Sequence, residues 1–395
     1  MDAVCALMES WSRRSPKSDA RAASNLDGEE VGMVSDVSDI SDIFAAGTNP
    51  ARPIADNHEL ERLWSEPIRL FRTANLLREK SCKKAVSFVI NRNINFTNIC
   101  VGSCRFCSFK HSERYFLTPE QILERTADAE RRGATEICLQ GGLAPQMGLE
   151  DYCAILESIR RDFPRMHLHA YSPMEVMYMS RNSRVDIREA LAELKRSGLG
   201  SMPGTAAEVL VDSVRQKICP DKLKTDEWRE IIVAAHQMGI PSTSTLLYGH
   251  VESLQDRLQH LQILRDIQAE THGFTELVLL PFIPENNLLG SLPENEFRKS
   301  DLLDHLKMHA LARVALYPNI TNIQASWTKL GREVAAAALL WGANDLGGTL
   351  MDEAIARNAS EDPFIRVQDL VALIKGQGRR PVQRTTTYER VRVFE

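Results

Sequence analysis

Cys100, Cys104 and Cys107 place three thiols within eight residues, at the end of the stretch NFTNICVGSCRFC (95–107). The spacing is C-x3-C-x2-C, and no fourth cysteine follows nearby. Thiols at this density point to metal chemistry. A structural zinc ion takes four closed ligands, usually from two knuckles far apart in sequence. The nearby fourth donor here is His111, so a zinc site would have to close within one loop. A 4Fe–4S cluster is the sharper match. Each of its irons takes an outer ligand, so three cysteines leave one iron open to chelate a small molecule. The five remaining cysteines (Cys5, Cys82, Cys138, Cys153 and Cys219) are scattered and read as small buried hydrophobes. The chain is far larger than disulfide-stapled secreted domains, so reduced thiols are expected.

A rigid frame must hold such a loop. The loop follows a run, AVSFVINRNINF (85–96), that reads as a strand. Further strand candidates are 136–140, 167–171, 198–202, 242–249, 276–283, 319–326 and, more weakly patterned, 337–343. Helical periodicity lies between them, as in Ile187, Ala190, Leu191 and Leu194, or Leu254, Leu258, Leu261 and Leu264. Thr118, Pro119 and Gln121 form a capping-box start with proline at the first helical position. Gly133, Gly198 and Gly239 sit where helices should end. Strand and helix alternating about eight times predict parallel βα units. No G-x-G-x-x-G turn follows an early strand, so an α/β fold closed as a (β/α) barrel is expected rather than an open sheet. Chemistry in such barrels sits at the C-terminal strand ends, where the three thiols lie.

Size and charge bound the rest. The chain has 395 residues, 43% of them apolar and 26% charged, which is ordinary globular usage. A net charge of −5 gives no reason to expect nucleic acid or an acidic membrane as partner. No apolar run is long enough to span a bilayer. The N-terminus lacks the order basic region, apolar region, cleavage site, so a cytoplasmic location is expected. Residues 1–55 read as a polar, disordered extension and 56–84 as a helical lead-in. Residues 85–350 are expected to form the barrel, with 351–395 packed on it.

The C-x3-C-x2-C loop after a first strand resembles the radical S-adenosylmethionine (SAM) superfamily, whose TIM-type barrel carries one such cluster. The resemblance implies that Cys100, Cys104 and Cys107 hold a [4Fe-4S] cluster whose open iron binds the methionine part of SAM. It implies that Phe106 lies against the adenine. The turn Gln140, Gly141, Gly142 is similar to the family's glycine-rich turn for the SAM amino group, although Leu143 stands where the family has glutamate. GSMPGTAAE, ICPDKL, YGHVE, PFIPENN and WGANDLGG narrow the match over about residues 60 to 390. They resemble the branch that forms the second subunit of FO synthase. That branch implies cleavage of L-tyrosine and transfer of its 4-hydroxybenzyl group to 5-amino-6-(D-ribitylamino)uracil. The product would pass to the first FO synthase subunit for coenzyme F420, with a ferredoxin or flavodoxin as reductant. Related futalosine-pathway enzymes, or a non-catalytic metal protein, are the competing readings.

Polar residues at expected strand ends are the candidates for substrate. They are His169, Tyr171, Ser172, Glu175, Tyr248, His250, Asn286 and Asn287, with Thr205 and Glu208 for SAM. Each has a plainer alternative. His169 could be a satisfied core histidine. Ser172-Pro173 could simply start a helix. His250 with Glu252 could be a helix N-terminal pair. Thr205 to Glu208 could be a turn and capping box.

Overall fold

The computed structural model describes residues 56–109, 113–293, 300–351 and 365–395. The expected extension, 1–55, lies outside the described residues, as does His111.

Two helices lead in, α1 (Asn57–Ser65) and α2 (Pro67–Cys82). Asp56 caps the first, accepting from the His58 N–H at 3.0 Å, and Pro67 opens the second. The expected first strand is bent into two at Ile90, giving β1 (Ala85–Val89) and β2 (Asn91–Asn95). Then come α3 (Pro119–Arg131), β3 (Glu136–Gln140), α4 (Leu149–Asp162), β4 (His167–Ala170), α5 (Pro173–Ser183) and α6 (Ile187–Ser197). Next are α7 (Asp212–Ile218), α8 (Thr225–Gln237), β5 (Ser242–Tyr248), α9 (Leu254–Thr271), β6 (Phe274–Pro281) and α10 (Leu302–Leu316). The chain continues through β7 (Ile323–Ala325), α11 (Trp327–Leu330), α12 (Arg332–Ala338) and β8 (Asp345–Gly348). It then forms α13 (Val367–Gly376), β9 (Arg380–Arg384) and β10 (Arg390–Val393).

The helix signals act as read. Thr118 and Gln121 form the full capping box, and Gly133, Gly198 and Gly239 take positive φ at helix ends. One expected strand is corrected. The alanine-rich run before residue 339 is α12, because alanine is the strongest helix former; the strand is β8, a few residues on. The expected strand 198–202 is reduced to two bridging residues, Ser201 and Met202.

The strands form two sheets, β10-β9-β1-β8-β7-β6-β5 and β2-β3-β4. Bridges from His169 to Ser201, Met202 to Ser242 and Arg92 to Met351 join their edges, so the parallel strands close into a ring. The β9–β10 hairpin is the exception to parallel order. β9 pairs beside β1 at Ala85–Phe88, which brings the residues after Val382 under the ring. Helices cover the outside, and apolar residues such as Leu194, Ile232, Leu264 and Leu311 are fully buried between the layers.

Candidate active site

Side chains alternate along a strand, so every second residue points into the ring. Glu136, Cys138 and Gln140 of β3, Thr243, Thr245 and Leu247 of β5, and Glu276, Val278 and Leu280 of β6 all line one cavity of about 460 Å³. Asn91 and Asn93 continue the set on β2.

Cys100, Cys104 and Cys107 are half-buried and line the mouth of this cavity. Their loop is clamped on several sides. Val101 N–H donates to Leu143 O at 3.1 Å, and Arg105 N–H to Ile218 O at 2.8 Å. Leu289 N–H donates to Arg105 O at 2.8 Å. At its base, Thr97 Oγ1 donates to Tyr115 O at 2.8 Å, and Asn98 Oδ1 accepts from the Tyr115 N–H at 2.9 Å. Among the described residues, no trio of histidine, cysteine, aspartate or glutamate converges on a single metal ion. Burial pushes the Cys104 thiol above its ordinary value, with the Lys222 ammonium opposing it. Lys222 sits 2.5 Å from Glu208 Oε1 and 5.3 Å from the centre of the Phe106 ring. Cys219, one turn away, is pushed up to about 12 by burial and stays a thiol.

The two glycines after β3 let this loop approach. A Cβ on Gly141 would overlap the Phe96 ring, and one on Gly142 would overlap Ile99 O and come within 2.9 Å of Cys100 Cβ. Glu175 holds the turn from behind, accepting from the Gly141 N–H at 3.1 Å. Its other oxygen accepts from Ser172 N–H and Oγ, each at 2.7 Å, so Ser172 and Glu175 cap α5. Burial raises the Glu175 carboxyl above its ordinary value. Gln140 Nε2 donates to Thr205 Oγ1 at 3.3 Å, tying the turn to the next candidate segment. That segment is a turn and not a capping box. Ala206 and Glu208 take φ of 63° and 45°, and the helix starts only at Asp212. The buried Arg215 guanidinium donates to Ala206 O at 3.1 Å and to Leu223 O, fixing it.

Of the substrate candidates, His169, Ser172, Glu175 and Asn287 line the cavity. His169 Nδ1 lies 2.7 Å from Ser201 Oγ, and burial holds its pKa at about 4, so the ring is neutral near pH 7. The Asn287 amide is spent on its own loop, donating to Ile283 O at 2.8 Å and accepting from Gly290 N–H at 2.8 Å. The remaining four are placed elsewhere. Tyr171 is in the core, its hydroxyl donating to Tyr152 O at 2.9 Å. Tyr248 points outward, with its hydroxyl 2.9 Å from His305 Nδ1. His250 is buried outside the cavity against Glu252 at 3.0 Å. Asn286 is exposed on the loop after β6.

A charged floor had no counterpart in the sequence reading. Arg384, the last residue of β9 and beside the C-terminal end of β1, binds Asp345 with Nε–Oδ2 of 2.6 Å and Glu276 with Nη2–Oε2 of 3.3 Å. Glu136 accepts from Thr386 Oγ1 at 2.6 Å and Asn91 Nδ2 at 2.8 Å. Burial pushes the Glu276 carboxyl up to about 7, against the pull of Arg384. The alternation of arginine, threonine and valine in RPVQRTTTYERVRV was the available signal for a hairpin here.

Two family models match the chain. One is the radical SAM superfamily, over residues 94–264, and the other the CofH/MqnC C-terminal region, over 271–395. The chain is 50% identical over 335 residues to 5-amino-6-(D-ribitylamino)uracil–L-tyrosine 4-hydroxyphenyl transferase 1 of Methanosarcina acetivorans, covering 84% of this chain and 89% of that one. It is 48% identical over 331 residues to the transferase of the same name from Archaeoglobus fulgidus, covering 83% and 95%. Among solved structures, methylornithine synthase (PylB) superposes with a TM-score of 0.66 at 18% identity, over 83% of this chain and 94% of that one. The hydrogenase maturase HydG of Carboxydothermus hydrogenoformans gives 0.62 at 18% identity, over 82% and 73%. Both likenesses are of fold. No helix among the described residues is long and apolar enough to cross a membrane.

Proposed function

The chain belongs to the 5-amino-6-(D-ribitylamino)uracil–L-tyrosine 4-hydroxyphenyl transferase family of the radical SAM superfamily, and we propose that its cavity performs that family's reaction. L-Tyrosine is cleaved between Cα and Cβ, and its 4-hydroxybenzyl group joins C5 of the aminouracil. 2-Iminoacetate, 5′-deoxyadenosine and methionine are released.

The observation that carries this reading is the meeting of three thiols, a glycine turn and a deep, mainly apolar cavity with a charged floor at one end of the ring. Family membership implies a [4Fe-4S] cluster and SAM, and the residues fit them. Cys100, Cys104 and Cys107 would hold the cluster, on a loop hydrogen-bonded to Leu143, Ile218 and Leu289. Gly141, Gly142, Thr205, Glu208 and Phe106 border the space beside it, where SAM would lie. When bound, the two supply a 5′-deoxyadenosyl radical. The protein's task is to hold both substrates close and keep water out. The loop clamps and the turn at Thr205–Glu208 fix the residues around the mouth. A ferredoxin or flavodoxin delivers the electron, and the ring-closing first FO synthase subunit takes the adduct, in the cytoplasm.

The test is anaerobic reconstitution with iron and sulfide, then reduction and addition of SAM and both substrates. Mass spectrometry should find 5′-deoxyadenosine and the hydroxybenzyl adduct, with both lost in Cys104→Ala. Deoxyadenosine without the adduct would move the chain to another substrate. A zinc-loaded protein yielding neither product would overturn the reading.

A further inference from the structure

The cavity changes character with depth. Because the strands run from floor to mouth, each inward position marks a level. On β6, Glu276 is followed by Val278 and Leu280; on β3, Glu136 is followed by Cys138 and Gln140. Carboxylates lie lowest, an apolar belt lies above them, and the thiols stand at the mouth. From Glu136 to Gln140 the rise is about 13 Å.

The floor is rich in hydrogen-bond acceptors. Glu136 and Glu276 are each only 4% exposed. Glu276 accepts from the Tyr388 hydroxyl at 2.7 Å and from Arg384, a guanidinium it shares with Asp345, which takes the shorter bonds. An ionised carboxylate offers about four lone-pair sites, and Glu136 uses two of its own on Thr386 and Asn91. Half-buried Gln324, level with Val278 in the strand register, lines the same cavity, and its amide makes no hydrogen bond to another described residue. The two carboxylates keep acceptor sites to spare, and the Gln324 amide offers both a donor and an acceptor.

The substrates of the proposed reaction differ in what they could bring. The bond broken in tyrosine is Cα–Cβ, so its charged end belongs at the mouth beside the thiols. The apolar belt of Val278, Leu280 and Leu247 suits an aromatic ring. The uncharged ribityl chain carries only hydroxyls, which both donate and accept. Glu276 and Gln324 also fall within the second family model, apart from the region that carries the thiols.

We propose that Glu136, Glu276 and Gln324 form the subsite for the ribityl chain of the aminouracil, which stands that substrate upright with C5 facing tyrosine. The proposal rests on the transferase reading.

The experiment compares reconstituted wild type, Glu276→Gln and Gln324→Ala on two uracils. One is 5-amino-6-(D-ribitylamino)uracil and the other is 5,6-diaminouracil, which lacks the chain. KM is measured for both uracils and for tyrosine, and Kd by calorimetry without turnover. The expected result is a rise of about tenfold or more in KM and Kd for the ribityl compound. Values for diaminouracil and for tyrosine should stay within about twofold. Should Glu276→Gln unfold, Gln324→Ala decides, since its amide supports no other described group. Equal weakening of both uracils, or a rise in tyrosine KM alone, overturns the proposal. A folded wild type that binds neither uracil overturns the transferase reading, and this subsite with it.

Discussion

Glu175 on α5 accepts the Gly141 N–H at 3.1 Å, so the carboxylate that caps a helix also fixes the turn against which the cysteine loop packs. Glu175→Ala leaves the Gly141 and Ser172 N–H groups without their acceptor. It should cost about 1–3 kcal/mol. Thermal unfolding measures that loss, and the yield of 5′-deoxyadenosine should fall with it. Glu175→Gln keeps an acceptor and should do less harm on both counts.

Gly142→Ala should strip the cluster. Its Cβ would strike Ile99 O, which is backbone, and the loop cannot yield without moving Cys100. Iron and acid-labile sulfide should fall well below those of wild type. Gly148→Ala is the control, because its Cβ would meet only Ser183 Oγ at 3.2 Å. Normal iron in Gly142→Ala would contradict the packing argument.

Cys219→Ala should keep its iron. Burial holds that thiol up to about 12, so it stays protonated and makes a poor ligand, although it lies on the cavity wall near Cys104. Iron content close to that of wild type is the expected outcome, against near-complete loss in Cys104→Ala.

Arg384→Met removes the floor's guanidinium and leaves the Asp345 and Glu276 carboxylates facing each other. The loss should be about 3–5 kcal/mol. Adding Asp345→Asn should recover part of it, so the two changes together cost less than their sum. Denaturant unfolding of the four proteins measures this coupling.

Stability should fall in mild acid. Burial holds His169, His236 and His309 at about 4 and His260 at about 3, below the ordinary 6.5. The unfolded chain takes up protons first as pH drops. The stability these neutral rings confer is therefore complete above pH 6.5 and is lost as pH falls toward 4, at about 1.4 kcal/mol per pH unit for each ring. Glu276, raised to about 7, acts in the opposite sense, its contribution being lost as pH rises through that value. Glu175, also raised by burial, acts in the same sense as Glu276, and two carboxyls do not offset four rings. Unfolding midpoints measured from pH 8 to pH 5 should decline, and a flat profile would contradict the burial of these histidines.

The mouth of the cavity was legible in the sequence because it is local. Three cysteines, Phe106 and the glycine turn each lie on a single strand end, and the alternation of elements places those ends together. The floor was not legible. Glu136, Glu276, Asp345 and Arg384 come from four separate strands, and only the register brings them into contact. Side-chain parity misled in the same way. Tyr248 sits at a strand end, as His169 does, but one step of parity turns it outward. β5 is buried on both faces, so its composition carries no alternation from which to read that parity. The error at 337–343 has another cause: a run of small apolar residues has no period that separates strand from helix, and alanine's helix preference decides it.

Arg384 stands well downstream of β8, the strand that completes the ring. A ribosome therefore emits Glu136, Glu276 and Asp345 before their counter-charge exists. Until β9 settles beside β1, those carboxylates stay hydrated or protonated, and the interior of the nascent barrel stays wet. With the hairpin in place, Arg384 supplies the floor's positive charge. The charge balance of the chamber floor thus depends on a segment that lies beyond the ring's last strand.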